Sequence, residues 1–516
     1  MKNRKTLRAT IGLVLCAFGM LLELAMPREV RHTFRVGAGG CRLVTDIVEP
    51  EGGGTPQGYV VLLHGVAANK RTMQYITDGF ASQGLRVFVP DLPGHGRTAE
   101  PFSFERVVQC GDNLLRELIS RGLLDPERTI LAGHSMGGAI ALQVASHQPV
   151  AGVVALSPAP MRDIPGLPHE AIPYHDFGKL PAHSLVINGT WEPAIIAHAA
   201  RDLVSSSGDA TSEYLLVPHA SHVSMLFNAR IMTDAQSWAA SVLHFQRRDT
   251  LPSHRGIIGL FVGLAGIIML VGPFLREILQ GKKQEGIPAE TNFAGASQLR
   301  IFADFTIVAL GAVGILHLTN PLHFLRLFEG DYFAGLLLIT GVVVLALHIT
   351  ALRPPNGATG AGSLPARPRY VSILLAAFAA VLLSVLFGAW FDLSFTEAWP
   401  TALRLVRFVP FLVAVLPYHF AEELLLGPPN PGKERVRLLM ALTIRLLVWL
   451  VLVAGIFFLH SGEILPVILA PYFAMFCLGQ RWAMDVVREV TGLPSAAAVF
   501  GAILLSGFCL VVFPTT

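Results

Sequence analysis

Charge is scarce in this sequence. Of its 516 residues only 15% are Asp, Glu, Lys or Arg, against 52% hydrophobic, and the formal net charge is +3. So small a net charge points to no polyanionic partner, and no nucleic-acid signature appears. Lys and Arg matter here through where they sit. Cysteine is scarce too: five are too few for a disulfide scaffold. Cys16, Cys477 and Cys509 lie in apolar runs and read as packing residues, whereas Cys41 and Cys110 fall in a more polar stretch and can pair if that stretch is exported. A glycine-rich phosphate loop, an internal repeat and a complete metal-ligand motif are all absent, so no cofactor or metal is expected. The nearest approach to a metal motif, His419 with Glu422 and Glu423, lacks a second half.

What the chain has in abundance is long apolar runs. Its mean hydropathy of +0.54 is that of a membrane protein, and its length exceeds one ordinary domain. Lys2, Arg4, Lys5 and Arg8 precede an apolar run to about Met26, interrupted by Glu23. Residues 1–27 therefore read as a signal anchor rather than a cleaved signal peptide, because small-x-small cleavage spacing is poor. Residues 251–516 read as a polytopic transmembrane domain of about eight helices, near Gly256–Leu275, Ile301–Thr319, Tyr332–Leu352, Tyr370–Phe391, Leu405–Leu426, Leu438–His460, Ile464–Gln480 and Ala497–Phe513. Each is close to the ~20 residues a helix needs to cross a bilayer. Pro410 and Pro417 interrupt one run, and Pro466 and Pro471 another, so either could be kinked or re-entrant. With the N-terminus inside, connections such as those holding Arg276, Lys282, Lys283, Arg367, Lys433 and Arg435 are cytoplasmic, as the positive-inside rule expects. Residues 28–250 then lie outside the cytoplasm, against the mild opposing signal of Arg28, Arg31 and Arg35.

Between Arg28 and Thr250 the pattern is different. Short apolar runs at Tyr59–His64, Arg86–Pro90, Thr129–Gly133, Val150–Ser157, Ser184–Asn188 and Tyr214–Pro218 alternate with helical stretches near Lys70–Gln83, Phe102–Arg121, Gly138–His147, Ala194–Ser207 and Asn228–Phe245. Such alternation argues for a mostly parallel, doubly wound sheet, with chemistry at the carboxyl ends of its strands. At one of those ends stands Gly133-His134-Ser135-Met136-Gly137-Gly138, between a strand and a helix. Gly-x-Ser-x-Gly in that setting is a nucleophile elbow, in which small flanking residues let the serine hydroxyl stand clear of the sheet.

Three blocks together, Val60-Val61-Leu62-Leu63-His64-Gly65, Val87-Phe88-Val89-Pro90-Asp91-Leu92-Pro93-Gly94-His95-Gly96 and the elbow, resemble in letters, order and spacing the α/β-hydrolase fold. The resemblance is to the branch of monoacylglycerol lipases and prolyl-aminopeptidase-like serine hydrolases; it extends faintly to about residue 245 and does not cover the apolar part. It implies that Ser135 is the nucleophile, with an acid and then a histidine following in the chain. His222, in Val217-Pro218-His219-Ala220-Ser221-His222-Val223, fits the family's histidine position better than His219. The family's Gly-x-x-Asp becomes Gly189-Thr190-Trp191-Glu192, which makes Glu192 the acid, with Asp163, Asp176 and Asp202 as alternatives. Backbone N–H groups of Val66 and Met136 are the implied oxyanion donors, while His64 and His95 shape loops. The proline-rich stretch Pro158–His183 is too short for the helical cap that usually precedes the acid strand, which favours an esterase over an aminopeptidase. The expectation is a membrane-bound serine hydrolase of carboxylic esters, lipid or small-molecule. A transporter-like protein carrying a hydrolase-fold sensor domain, or a peptidase or acyltransferase of the same fold, is the alternative.

Overall fold

Among the described residues eight strands form one sheet, and six of them arise where the short apolar runs lie. A computed structural model describes residues 2–25, 31–50, 54–159, 180–279, 297–348, 368–393, 395–428, 432–459 and 465–516. Its strands are β1 (Arg31–Ala38), β2 (Cys41–Val48), β3 (Gly58–Leu63), β4 (Leu85–Pro90), β5 (Thr129–His134), β6 (Gly152–Leu156), β7 (Ser184–Gly189) and β8 (Glu213–Val217), in the order β1-β2-β4-β3-β5-β6-β7-β8. The pairs from β4 through β8 are parallel, and β2 joins antiparallel to β4. The β1–β2 hairpin lies outside the six expected strands. Its signal is the Gly39-Gly40 pair, both with positive φ, between two stretches of strand residues.

The central strands β3, β5, β6 and β7 are almost wholly buried, which is why they read as continuous apolar runs rather than alternating ones. One sheet face packs Val60, Leu62, Ile130, Ala132, Val154 and Ile187 against Ile76, Phe80, Met232 and Trp238 of flanking helices. Registers Leu63↔Gly133, His134↔Leu156 and Gly189↔Val217 bring the carboxyl ends of β3, β5, β6, β7 and β8 to one edge. Cys41 on β2 and Cys110 on the helix Phe104–Ser120 form a disulfide, with Cα atoms 5.5 Å apart.

The chain divides into two compact units. The sheet unit comprises Gly19–Phe261 and also takes in Trp390–Thr401 and Pro514–Thr516. Thr515 anchors the last of these segments: its N–H donates to Gly94 O at 3.1 Å, and its carbonyl accepts from Phe102 N at 2.7 Å. The other unit is helical. Among the described residues eight helices are long and apolar enough to cross a membrane: Thr6–Leu24, Arg255–Leu279, Gln298–Leu318, Gly330–Leu347, Arg369–Asp392, Phe408–Leu426, Glu434–Leu459 and Pro494–Val512.

Two of the expected spans need comment. Phe408–Leu426 continues through Pro417 without a break, and Gly341 on a neighbouring helix packs against it so closely that a Cβ there would lie 2.2 Å from Tyr418 N. The run Ile464–Gln480 is not one of the eight. A short helical turn Leu465–Ile468, holding Pro466, precedes a helix, Ala470–Thr491, that starts at Pro471 and runs on past Gln480 through Arg481, Asp485 and Arg488. Those charges are paired within the helical unit. Glu422 bonds Arg445 at 2.8 Å and Arg481 at 3.0 Å, Glu423 bonds Arg437 at 2.9 Å and also Arg481, and Asp485 bonds Arg481 at 2.6 Å. Glu422 and Glu423 are thus engaged by guanidinium groups, and His419 faces Gln480 at 3.1 Å.

Candidate active site

The elbow is built by two glycines that no other residue can replace. A Cβ on Gly133 would sit 2.2 Å from the carbonyl oxygen of Gly137, and one on Gly137 would sit 2.2 Å from that of Leu63. The chain therefore turns between strand and helix in one residue. Ser135 takes the strained conformation φ 55°, ψ −120° as N-cap of the helix Met136–Ala145. Its N–H is held by Leu156 O at 2.9 Å, and its carbonyl accepts from Ala139 and Ala159. Ala67, Ser157 and His219, in the neighbouring loops, also have positive φ. Such non-glycine conformations cost about 1–3 kcal/mol each and cluster at functional sites.

The loop after β3 lies against Ser135: a Cβ on Gly65 would be 3.1 Å from Ser135 Cβ. Two histidines shape this loop. His64 Nε2 accepts from Leu92 N at 2.9 Å, so its Nδ1–H donates to Gly65 O at 2.8 Å. His95 Nε2 accepts from Ala67 N at 3.1 Å, and its Nδ1–H donates to Pro93 O. Burial lowers the pKa of His64 to about 4, against a smaller upward push from its bond to Gly65, so the ring is neutral. The Ala67 N–H is thus used by His95 and that of Ala68 by Gly65 O, whereas among the described residues no hydrogen bond is made by the N–H groups of Val66 and Met136.

His222 and Glu192 come together from the loops after β8 and β7. His222 Nδ1 lies 3.3 Å from Glu192 Oε1 and 2.8 Å from Ser157 Oγ. Glu192 is buried and accepts from Asn188 Nδ2 at 2.6 Å. Burial alone would raise its pKa, but hydrogen bonds from His222, Ser157 and Asn188 outweigh it and the net direction is downward. Among the described residues no hydrogen bond joins the Ser135 hydroxyl to His222; such bonds are often long without substrate and tighten in the reactive complex.

Two further residues belong to this cluster and went unread in the sequence. Ser157 follows β6 directly and places its Oγ 2.8 Å from His222 Nδ1. His134, inside the elbow motif itself, donates Nε2–H to His222 O at 2.7 Å and packs its ring 4.7 Å from that of His222. Burial, then the proximity of His222, pushes its pKa well down, so it clamps the histidine loop as a neutral ring. Position after a strand was a usable signal for Ser157; for His134 no sequence signal existed.

The remaining candidates fall elsewhere. Asp202 is exposed on the helix Ala194–Ser205, beside Arg201. His219 packs edge-on to Trp191, with its backbone N–H on Thr190 Oγ1. Asp163, Asp176 and most of Pro158–His183 lie outside the described residues.

Comparison with known proteins agrees with this architecture. Residues 60–244 match the family model described as "Alpha/beta hydrolase family". A monoacylglycerol lipase of Mycolicibacterium smegmatis is 32% identical over 120 residues, covering 23% of this chain and 42% of that protein. An uncharacterized protein of Mycobacterium tuberculosis is 37% identical over 90 residues, covering 17% of this chain and 25% of that one. The chain thus spans less than half the length of these curated relatives. Among solved structures, a soluble variant of monoglyceride lipase from Saccharomyces cerevisiae in complex with a substrate analogue aligns with 42% of this chain and 97% of its own, at 15% identity and a TM-score of 0.34. From the strand order, the elbow and the family match, residues 60–244 form an α/β-hydrolase domain, and among the described residues eight helices are apolar enough to cross a membrane.

Proposed function

We propose that this protein is a membrane-bound serine hydrolase that cleaves carboxylic esters through an acyl-enzyme on Ser135. The observation that carries the reading is the convergence of a strained elbow serine, two undonated backbone N–H groups and a half-buried His222 facing the buried Glu192 carboxylate on one edge of the sheet.

In this reading Ser135 Oγ attacks the ester carbonyl carbon while its proton passes to His222 Nε2. Glu192 and Ser157 hold His222 Nδ1–H and stabilise the imidazolium. The carbonyl oxygen becomes an oxyanion facing the N–H groups of Val66 and Met136. Collapse breaks the C–O bond, and His222 returns its proton to the departing alkoxide. Water, deprotonated by His222, then attacks the acyl-enzyme and releases the acid and the serine. The monoacylglycerol lipase among the relatives favours an acyl ester, lipid or small-molecule, as substrate.

The sheet unit lies outside the cytoplasm in this proposal. The basic connections support it, and so does the Cys41–Cys110 disulfide, since such bonds persist in oxidising compartments. Parity adds a constraint. Segments Trp390–Thr401 and Pro514–Thr516 share the sheet unit and hence its side of the bilayer, so an even number of spans separates them. Three of the apolar helices lie between, at Phe408–Leu426, Glu434–Leu459 and Pro494–Val512. Ala470–Thr491 is therefore the fourth crossing, its charges neutralised by Glu422, Glu423 and Arg437.

A membrane-impermeant fluorophosphonate added to intact cells tests both parts. Labelling of wild type and none of Ser135→Ala is expected. Labelling only after permeabilisation would overturn the topology, and equal labelling of both chains would overturn the assignment of Ser135.

A further inference from the structure

The sheet unit is completed by a segment from far along the chain, and that segment grips the loop next to the nucleophile. Lys70, four residues after Val66, is buried with its Nζ 2.8 Å from Asp91 Oδ2 and 2.7 Å from Glu397 Oε1. Asp91 also accepts from the backbone N–H groups of Lys70 at 3.0 Å and Arg97 at 2.9 Å, which ties the loop after β3 to the loop after β4. Glu397 in turn reaches the Arg97 guanidinium at 3.3 Å. Two carboxylates and two cations thus balance in a site that excludes water from Lys70. Burial alone would lower the Lys70 pKa, but Asp91 and Glu397 outweigh it and keep the ammonium charged.

Asn69 supplies a second grip. It caps the helical turn Lys70–Met73, and both ends of its amide engage the distant segment. Its Nδ2 donates to Thr396 Oγ1 at 2.7 Å, and its Oδ1 accepts from Glu397 N at 3.2 Å. On the other side the Phe395 ring stacks at 5.9 Å on Phe227, in the helical turn Ser224–Phe227 that follows His222. One short segment therefore touches both the oxyanion-side loop and the histidine-side loop.

The geometry points to Phe395–Glu397 as a positioning element of the hydrolase site, with Glu397 acting through Lys70 and Asn69 to hold the turn Gly65–Ala68 where the Val66 N–H meets the oxyanion. This rests on the serine-hydrolase reading above. The physical need is local. Ala67 is held at φ 59°, a conformation a non-glycine residue leaves unless its surroundings fix it. The donor Val66 stands one residue before it. An oxyanion donor must be set within a few tenths of an ångström, and losing one costs about 10²–10³ in kcat. A donor displaced rather than deleted loses part of that.

The test uses the full chain in native membranes, with kinetics on a soluble p-nitrophenyl ester normalised to fluorophosphonate-titrated sites. Glu397→Gln is expected to lower kcat by about ten- to a hundred-fold, with KM within about twofold and the rate of fluorophosphonate labelling falling in parallel. A structural role alone would reduce the number of titratable sites and leave kcat per site unchanged, and that result overturns the proposal. Should Glu397→Gln fail to accumulate, Glu397→Asp, which keeps the charge at shorter reach, takes its place with a severalfold loss of kcat expected and an unchanged kcat overturning the proposal. A wild-type chain that labels normally beside an indistinguishable Glu397→Gln chain sinks this inference and leaves the hydrolase reading intact. A wild-type chain that neither labels nor hydrolyses sinks both.

Discussion

Replacing Glu192 by Gln isolates the electrostatic part of the proposed mechanism. Volume and burial are preserved, and one oxygen becomes an NH₂ group. In the native site the carboxylate accepts from Asn188 Nδ2 through Oε2 at 2.6 Å, and its Oε1 faces His222 Nδ1 at 3.3 Å. A Gln amide has one accepting end. Its nitrogen either meets Asn188, whose amide can turn over to accept with its unpaired Oδ1, or faces the His222 Nδ1–H in a buried donor–donor contact that costs about 1–3 kcal/mol unless the ring changes tautomer. If the ring does change, Nε2 carries the proton and can no longer take one from Ser135. The charge that would stabilise the imidazolium is lost in either case. Ser157, 2.8 Å from Nδ1, retains the ring's orientation but supplies no charge. A loss of about 10³–10⁴ in kcat is expected, or about 4–5.5 kcal/mol of transition-state stabilisation, with KM little changed. The assay is steady-state hydrolysis of a p-nitrophenyl ester by the full chain, beside Ser135→Ala as the floor. A Glu192→Gln chain within threefold of wild type while Ser135→Ala is inactive would refute Glu192 as the acid. Loss of activity in Asp202→Asn would then redirect the assignment.

Other expected outcomes follow from packing and from buried histidine. Gly137→Ala should abolish labelling and folding of the sheet unit, because the new methyl meets only backbone, at 2.2 Å from Leu63 O, whereas Gly138→Ala, with its nearest contact at 3.1 Å, should keep most activity. Fluorophosphonate labelling of the two purified variants separates them, and an active Gly137→Ala would contradict the elbow geometry. The sheet unit should lose stability as pH falls from about 6.5 towards 4. A histidine held at a pKa of about 4 when folded and about 6.5 when unfolded takes up its proton more readily once unfolded, so the folded state is fully favoured above the higher value and loses about 3 kcal/mol by the lower one. Denaturant unfolding of wild type and His64→Gln across that range checks it; equal pH slopes would show that His64 contributes nothing.

Much of the elbow and the central sheet was legible because it is local. Gly133, Ser135 and Gly137 must be the residues they are for a strand to turn into a helix in one step, and that constraint is written in five consecutive positions. The central strands are legible for a related reason, since burial on both faces leaves runs of Val, Leu and Ile. The β1–β2 hairpin was harder to read, because it lies at the sheet margin, where β1 is largely exposed and the apolar signal is diluted. Apolar length sufficed for eight helices, but the start and extent of Ala470–Thr491 depend on Pro471 and on partners for Arg481, which lie on other helices.

What only the tertiary structure decided are contacts between residues far apart in the chain. No spacing rule places Ser157 and His134 beside His222, because they meet it through the register of β5 and β6 and the return of the loop after β8. Nor does any local pattern bring Glu397 to Lys70 or Thr515 to Gly94. Such pairings are fixed by which buried charge or backbone group needs a partner once the sheet has formed. A buried ammonium such as Lys70 is stable only with carboxylates at hydrogen-bond distance, and one of the two it found lies more than 300 residues away.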